Sequence, residues 1–433
     1  MERYKNIAKQ ILEKLQARGA DMAHCSVRES EMREFNVDGN EFSLFRTLFN
    51  RYIGITAFIG GKKGSVSINR FDDEAIEAAI ENCVSAANSA TPDTAWELAS
   101  GNGERYFKSG AIVPETEKLF FRTKELLNDI HTRHPKIIVE QMIVKHICAK
   151  GVYMSTTGNC YISESGKYAA ELMYSAHEGE KSTSFYGSDV TVTDLDKPFI
   201  DCALIERELC DIENQIDTAT TNGKFTGTVI FTPACLVSTV FGNICGNFAS
   251  DGVLLDGTSL WKDKLGQKVA DERITVSFKP SDERIVNGER YTGEGYISED
   301  YDFIKNGVLQ SFMLSKYVAN KTGNERAKNS SFAMIIESGD TPLEEMIKSI
   351  DKGIIIGRFS GGSPGTNGEF SGVAKNGFMI ENGKITHALA ETMISGNLAD
   401  MLNNLVAISK ETLVDGTVVA PYMAFDGITV SGK

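Results

Sequence analysis

No run of about 18 apolar residues occurs in the 433-residue chain, so the sequence offers no membrane-spanning helix. Its eight cysteines (Cys25, Cys83, Cys148, Cys160, Cys202, Cys210, Cys235 and Cys245) form no C-x-x-C pair and no zinc-ribbon spacing. Positive charge is in deficit: 45 Lys+Arg against 59 Asp+Glu give a net charge of −14. That excludes a broad basic surface for nucleic acid and disfavours docking on anionic lipid. Prolines are few, 9 against 40 glycines, a balance that suits many turns between strands. The opening residues Met1-Glu2-Arg3-Tyr4-Lys5-Asn6 read as charged helix rather than as a signal peptide. The expectation is a cytoplasmic protein with reduced thiols.

What is present is an ordinary globular composition, 41% hydrophobic and 24% charged. The length predicts two or three domains with cores that need no staples. Tyr4, Ile7, Ala8, Ile11, Leu12 and Leu15 repeat at three-four spacing and predict a helix closed by Gly19. Arg51–Ile59 and Ser65–Ile68 flank Gly60-Gly61-Lys62-Lys63-Gly64, the pattern of a hairpin. Asp72 or Asp73 then caps a helix whose inner face carries Ile76, Ala79, Ile80, Cys83, Val84 and Ala87. Residues 88–114 read as a long connection. A helix is expected at 115–132, strands between 136 and 176, and a helix near 200–216. After Asp217 one helix is expected at 233–248, then short strands, then a final helix at 397–408.

The fold class predicted is α+β: an N-terminal α/β-layered region with a mixed or antiparallel sheet, then a largely antiparallel β domain. The expected divisions are an N-terminal α+β domain at 1–90, a central α+β region at 91–220 and a C-terminal domain at 221–433.

Candidate chemistry is sparse. His177-Glu178 lacks the second His that a zincin helix needs and reads as a solvated loop. His131 and His134 sit at a helix end, where cationic side chains are favoured. His146 and Cys148 fall on one face of a strand and read as core. Cys235 and Cys245 lie about 15 Å apart by helical rise, too far to share a metal. His387 is a candidate general base, which would need a nucleophile within hydrogen-bond reach. Gly361, Gly362, Gly365 and Gly368 make a flexible loop without the Gly-Lys-Ser/Thr ending of a phosphate-binding loop. Such loops often cover binding grooves, so Ser360, Gly361, Gly362, Asn367, Phe370 and Ser371 are candidate peptide-groove residues.

Several longer motifs carry a family resemblance. They are Tyr52-Ile53-Gly54-Ile55 through Gly64-Ser65-Val66-Ser67, then Thr292-Gly293-Glu294-Gly295, then Ile304-Lys305-Asn306-Gly307-Val308-Leu309. Gly368-Glu369-Phe370-Ser371-Gly372 comes next, with Gly377-Phe378-Met379-Ile380-Glu381-Asn382-Gly383-Lys384-Ile385, Ile394-Ser395-Gly396-Asn397-Leu398 and Asp426-Gly427-Ile428-Thr429-Val430-Ser431-Gly432. In this order the chain resembles the TldD/PmbA family, called modulators of DNA gyrase and assigned as zinc metallopeptidases. The resemblance implies H-E-x-x-x-H on the helix after the first strand of the C-terminal domain, plus a later cysteine, in the TldD-type branch. The matching positions here are Thr239, Val240 and Ile244. No His lies between His177 and His387, and no Cys comes after Cys245. The chain therefore resembles the PmbA branch, also called TldE.

That resemblance implies a subunit with no catalytic residue and no metal ligand of its own. Zinc would sit on a TldD-type paralogue, and the pair would act on unfolded peptides, with a homodimer as the other assembly. Two other readings stand beside it: a non-enzymatic peptide- or protein-binding modulator, related to gyrase or to a toxin–antitoxin pair, and a self-sufficient hydrolase with a non-zinc site such as His387.

Overall fold

The computed structural model describes residues 1–221, 223–390 and 392–432. Helix α1 (Glu2–Ala17) buries the stripe Tyr4, Ala8, Ile11, Leu12 and Leu15, and Gly19 leaves it at φ +90°. It is followed by β1 (Met22–Asp38), β2 (Glu41–Ile59) and β3 (Lys62–Ile68). Asp38-Gly39-Asn40 turns β1 into β2 with Gly39 and Asn40 both at positive φ, the backbone of a tight hairpin. Asp72 caps α2 (Asp73–Ser89) by accepting the Ala75 N–H.

The expected connection at 88–114 contains an extra strand, β4 (Glu104–Gly110). It pairs in parallel with β6 (Cys160–Glu178). Its Ser- and Gly-rich surroundings hide it, because most of its residues are exposed and show no apolar alternation. Helix α3 (Thr116–Arg133) leads into β5 (Ile137–Ser155). Beyond β6, whose end holds His177, come β7 (Lys181–Ser182), β8 (Tyr186–Val192) and α4 (Ile205–Glu213). His177 is thus on a strand paired with Ser182, not in a loop.

Strands β1, β2, β5 and β6 are 17–19 residues long and carry one sheet in the order β3-β2-β1-β5-β6-β4, with β7 and β8 also against β6. β1 pairs with β5 from His24 to Asp38, so strands from either side of residue 90 share this sheet. Odd-numbered side chains at both ends of β1 face helices. Ala23, Cys25 and Val27 pack with α1 and α2, and Phe35 and Val37 with α3. The other face carries Tyr153 and Tyr161, stacked at 5.5 Å and covered by Tyr291 from the C-terminal region. Residues 41–52 of β2 have β1 on one side, while β3 begins to pair only at Ile53.

Among the described residues the second sheet has twelve strands, mostly antiparallel. It starts with β9 (Thr218–Thr220) and β10 (Lys224–Phe231) and takes in four short strands, β11 (Val276–Phe278), β12 (Tyr301–Lys305), β13 (Val308–Leu309) and β14 (Met334–Ile336). Then come β15 (Lys352–Gly362), β16 (Glu369–Glu381), β17 (Lys384–Ala390), β18 (Thr392–Asn397), β19 (Leu405–Val414) and β20 (Val419–Ser431). β10 lies between β20, antiparallel, and β15, parallel. Both faces there are covered. Phe231, Ile354, Ile356, Met423 and Phe425 face a helix at 233–249, and Ile230, Ile355, Tyr422 and Ala424 face the helix Leu343–Lys348. Burial on both sides explains the near-continuous apolar text of these strands.

The α+β class with antiparallel sheets is therefore observed. Two helical expectations change. The 397–408 helix ends at Asn403, because from Leu405 onward the chain pairs with β20. Short helices Asp251–Leu255, Lys316–Thr322 and Leu343–Lys348 add to the two expected after Asp217. No helix among the described residues is long and apolar enough to cross a membrane.

Gly64 on β3 lies so close to α2 that an added Cβ would stand 2.1 Å from the Cys83 carbonyl oxygen. Gly64→Ala is expected to cost about 1–3 kcal/mol through overpacking, read as a lower urea midpoint. Gly246→Ala, on the 233–249 helix with open space around it, is expected to be neutral or to stabilise by up to about 1 kcal/mol.

Candidate functional site

Strand β10 delivers the chain into the 233–249 helix through Thr232, with Pro233 at its first turn, where a missing N–H costs nothing. This helix is not a regular α-helix. Residues Leu236–Phe241 and Cys245–Ala249 are wound with i→i+5 bonds, and the Gly242 N–H donates to the Val237 carbonyl. Single turns of this kind recur at functional sites. Thr239, Val240 and Ile244 lie on it, all buried. The Thr239 hydroxyl contacts the Cys235 sulfur at 3.6 Å, and the Asn243 amide donates to the Thr239 carbonyl at 2.8 Å. Burial pushes the Cys235 thiol up to about 12 and raises Cys245 further, which makes both unreactive at neutral pH.

The glycine-rich segment is the tip of the β15–β16 hairpin. Gly361, Gly362, Asn367 and Ser371 are exposed and Ser360 is half-buried. Phe370 differs: it is 5% exposed and packs edge-on against Phe359 in the core, with ring centroids 5.9 Å apart. The tip is held from both sides. The Asn247 amide donates to the Pro364 carbonyl at 3.0 Å, and the Asn397 amide to the Asn367 carbonyl at 2.8 Å.

His387 belongs elsewhere. It stands on β17 opposite Met379, nine residues of β16 away from Phe370, or about 30 Å along an extended strand. The structure therefore does not bring the candidate base and the hairpin tip together. Instead His387 lines a cavity of about 520 Å³ between α4 and the second sheet, with Glu208, Asp211, Tyr186 and Tyr422. Its Nδ1 lies 3.1 Å from the Thr386 hydroxyl, while its buried Nε2 has no partner among the described residues.

Glu208 is the unusual group. Ser188 donates to its Oε2 at 2.5 Å and Tyr186 to its Oε1 at 3.3 Å, and Tyr174 in turn contacts Ser188 at 2.8 Å. Burial pushes the Glu208 carboxyl up to about 7, against the pull of those two hydroxyl donors. Asp211, one turn on, is also raised by burial, with the Arg207 guanidinium 3.8 Å away. Sequence reading missed both. The available signal was that Glu208 falls on the apolar stripe Ile205, Leu209 and Ile212 of α4, where a charge is out of place.

Among the described residues, no three His, Cys, Asp or Glu side chains converge as a metal requires. His131 and His134 do not either. His134 ends α3 and its Nδ1 meets Glu213 at 3.0 Å, while the His146 Nε2 meets the Ala111 carbonyl at 2.6 Å within the core.

A family model described as the PmbA/TldA metallopeptidase C-terminal domain matches residues 223–432. A second, PmbA/TldA metallopeptidase domain 1, matches residues 25–87. The chain belongs to the TldD/PmbA family. A metalloprotease PmbA homologue of Haemophilus influenzae is 21% identical over 88% of the chain and 86% of its own length. A metalloprotease of Methanocaldococcus jannaschii is 29% identical over 44% of each chain. The chain thus spans less than half the length of several curated relatives that it matches. A zinc metalloprotease TldD homologue of Saccharolobus solfataricus is 26% identical over 66% of the chain and 69% of its own length. In fold the chain is similar to TldE from Thermococcus kodakarensis, with a TM-score of 0.84 at 20% identity over 98% of this chain and 99% of that one.

Because Glu208 takes up its proton more readily folded than unfolded, it supports folding fully below about pH 4.5, and that support fades as pH rises through about 7. Between about pH 4 and 8 the native chain is expected to lose on the order of 3 kcal/mol relative to Glu208→Gln. Urea unfolding of both proteins across that range checks this. A difference that does not vary with pH would place the Glu208 carboxyl at its ordinary value.

Proposed function

We propose that this TldD/PmbA-family chain is the non-catalytic, PmbA/TldE-like subunit of a heteromeric zinc peptidase that acts on unfolded peptides in the cytoplasm. The observation that carries this reading is the 233–249 helix. It carries wide turns at Leu236–Phe241 and Cys245–Ala249, while the positions that would hold the family's zinc ligands are Thr239 and Ile244, with Val240 where a general base would stand.

Zinc does not fit this donor set. A hydroxyl buried beside a protonated thiol, with two aliphatic side chains, supplies neither imidazole nitrogen nor carboxylate. No step of hydrolysis is therefore assigned to this chain. The metal and the base belong to a TldD-type paralogue, and this subunit shapes the chamber in which peptide is held. The exposed hairpin tip, Ser360, Gly361, Gly362, Asn367 and Ser371, is the proposed peptide contact, with Phe370 anchoring it from below.

The surface of β2 supports assembly with a second chain. Among the described residues nothing pairs with one edge of residues 41–52, which carry Phe42, Leu44, Phe45 and Phe49, the last 75% exposed. An apolar edge of this length invites another chain. The proposed occupant is the zinc-bearing paralogue.

Native mass spectrometry of the protein drawn gently from its own cells tests the reading. The expected result is a complex with a second chain of similar size and one zinc per pair. A metal-free homodimer without a second chain would overturn it. Phe49→Glu is expected to weaken the complex at least tenfold with little change in melting temperature. Deleting Gly361–Gly365 should weaken peptide binding by the assembled pair, and unaltered binding would remove the tip from the groove.

A further inference from the structure

The 520 Å³ cavity beside α4 is within the range of small-ligand sites. It lies on the face of the second sheet opposite the 233–249 helix: Ile355 and Tyr422 face it, whereas their neighbours Ile354, Ile356 and Met423 face that helix. It is therefore separate from Thr239, Val240 and Ile244, and a ligand bound in it would be independent of the peptidase reading.

Its two sides differ in chemistry. The wall on α4 presents Glu208 and Asp211, and the floor on the sheet presents Ile355, Phe378, Ala388 and the ring of Tyr422. Charges around the cavity are few. The Asp217 carboxylate at the rim is paired with Lys181. The Arg207 guanidinium lies 5.4 Å from the Tyr422 ring centre and 3.8 Å from Asp211. Glu208 has only hydroxyl donors and no cationic partner among the described residues. A buried carboxylate without a counter-charge is costly.

One further polar group is unsatisfied. The His387 Nε2 is buried without a partner. A carboxylate lacking a cation, a buried ring nitrogen lacking a partner and an apolar floor are the complement of one kind of molecule.

We infer that this cavity binds a primary ammonium carried on an aliphatic chain, with the charged head between Glu208 and Asp211 and the chain over Ile355, Phe378 and Tyr422. The ammonium supplies three donors to the two carboxylates. An anion would meet two carboxylates against one guanidinium that already has partners. A divalent metal would find no third ligand among the described residues. The ammonium has two possible sources, a free alkylamine or the lysine side chain of a peptide.

Calorimetry on the full chain at about pH 7.5 tests this with n-hexylamine, 1-hexanol, hexanoate and Nα-acetyl-lysine methylamide as probes. Saturable binding of hexylamine, with 1-hexanol and hexanoate weaker by about tenfold or more, is the expected result. Asp211→Asn is expected to weaken hexylamine by a similar factor at an unchanged melting temperature. Tighter binding of the lysine derivative than of hexylamine would assign the ligand to peptides, and the reverse order to a free amine; either supports the ammonium site. No saturation by about 10 mM for either amine, hexanoate binding as well as hexylamine, or a folded Asp211→Asn with native affinity would overturn it. Should Asp211→Asn fail to fold, the comparison of isosteres on the native chain decides alone.

Discussion

The molecule depends on one packing constraint: the adjacent strands β15, β10 and β20 are buried on both faces. Alternate side chains along each strand serve different masters, one set the 233–249 helix and the other the Leu343–Lys348 helix and the α4 cavity. A slip of one residue would exchange the two sets. Ile354 and Ile356 would then face the cavity, and Ile355 the helix. The register of these strands therefore sets both the environment of Thr239, Val240 and Ile244 and the floor beneath His387. The two places are chemically unlike because they lie on opposite sides of the same ladder.

Polar contacts form part of the seam with the first sheet. The Arg358 guanidinium donates to the Ser184 hydroxyl at 2.8 Å, and the Asn376 amide to the Ser184 carbonyl at 3.3 Å. Tyr186, on β8, lines the cavity and also donates to Glu208. Elsewhere, Trp96 of the connection stacks on Tyr317 at 3.8 Å, and Asp93 meets Lys321 at 2.9 Å. The connection after α2 is thus part of the packing rather than a tether. The network Tyr174–Ser188–Glu208–Tyr186 joins β6, β8 and α4 through hydroxyls, so a charge at Glu208 is felt by three elements at once.

The helices with an apolar stripe on one side were legible in the sequence. Tyr4, Ala8, Ile11, Leu12 and Leu15 of α1 and Ile76, Ala79, Ile80, Cys83 and Ala87 of α2 are the buried residues of those helices, while Ile7 and Val84 on the same stripes are half-buried. The first half of β2 was not legible, because residues 41–52 are largely exposed on both faces and carry no alternation. The turn Asp38-Gly39-Asn40 was its one local signal. Leu398, Met401 and Leu402 belong to a helix, but Leu405, which continues their spacing, belongs to β19. There the pairing with β20 outweighs local periodicity. Thr239, Val240 and Ile244 stood out only through the family resemblance, since nothing in their own chemistry marks a site. The α4 cavity collects residues from positions 186 to 422, a grouping that only the folded topology creates.

The pairing of β10 with β20 also has a bearing on time. Lys224 lies opposite Ser431 and Phe231 opposite Met423, so the two strands that form the middle of the second sheet are separated by nearly the whole of that sheet's sequence. During synthesis β10 emerges long before its antiparallel neighbour exists. Its other neighbour, β15, arrives only at residue 352. For that interval Val229, Ile230 and Phe231 form an apolar strand with both edges open. Contacts of such long sequence separation close slowly, and open strand edges are prone to wrong pairing. The nascent chain is thus most vulnerable before residue 352 is made, and one edge of β10 stays open until residues 419–431 follow, a demand on chaperones that the finished fold conceals.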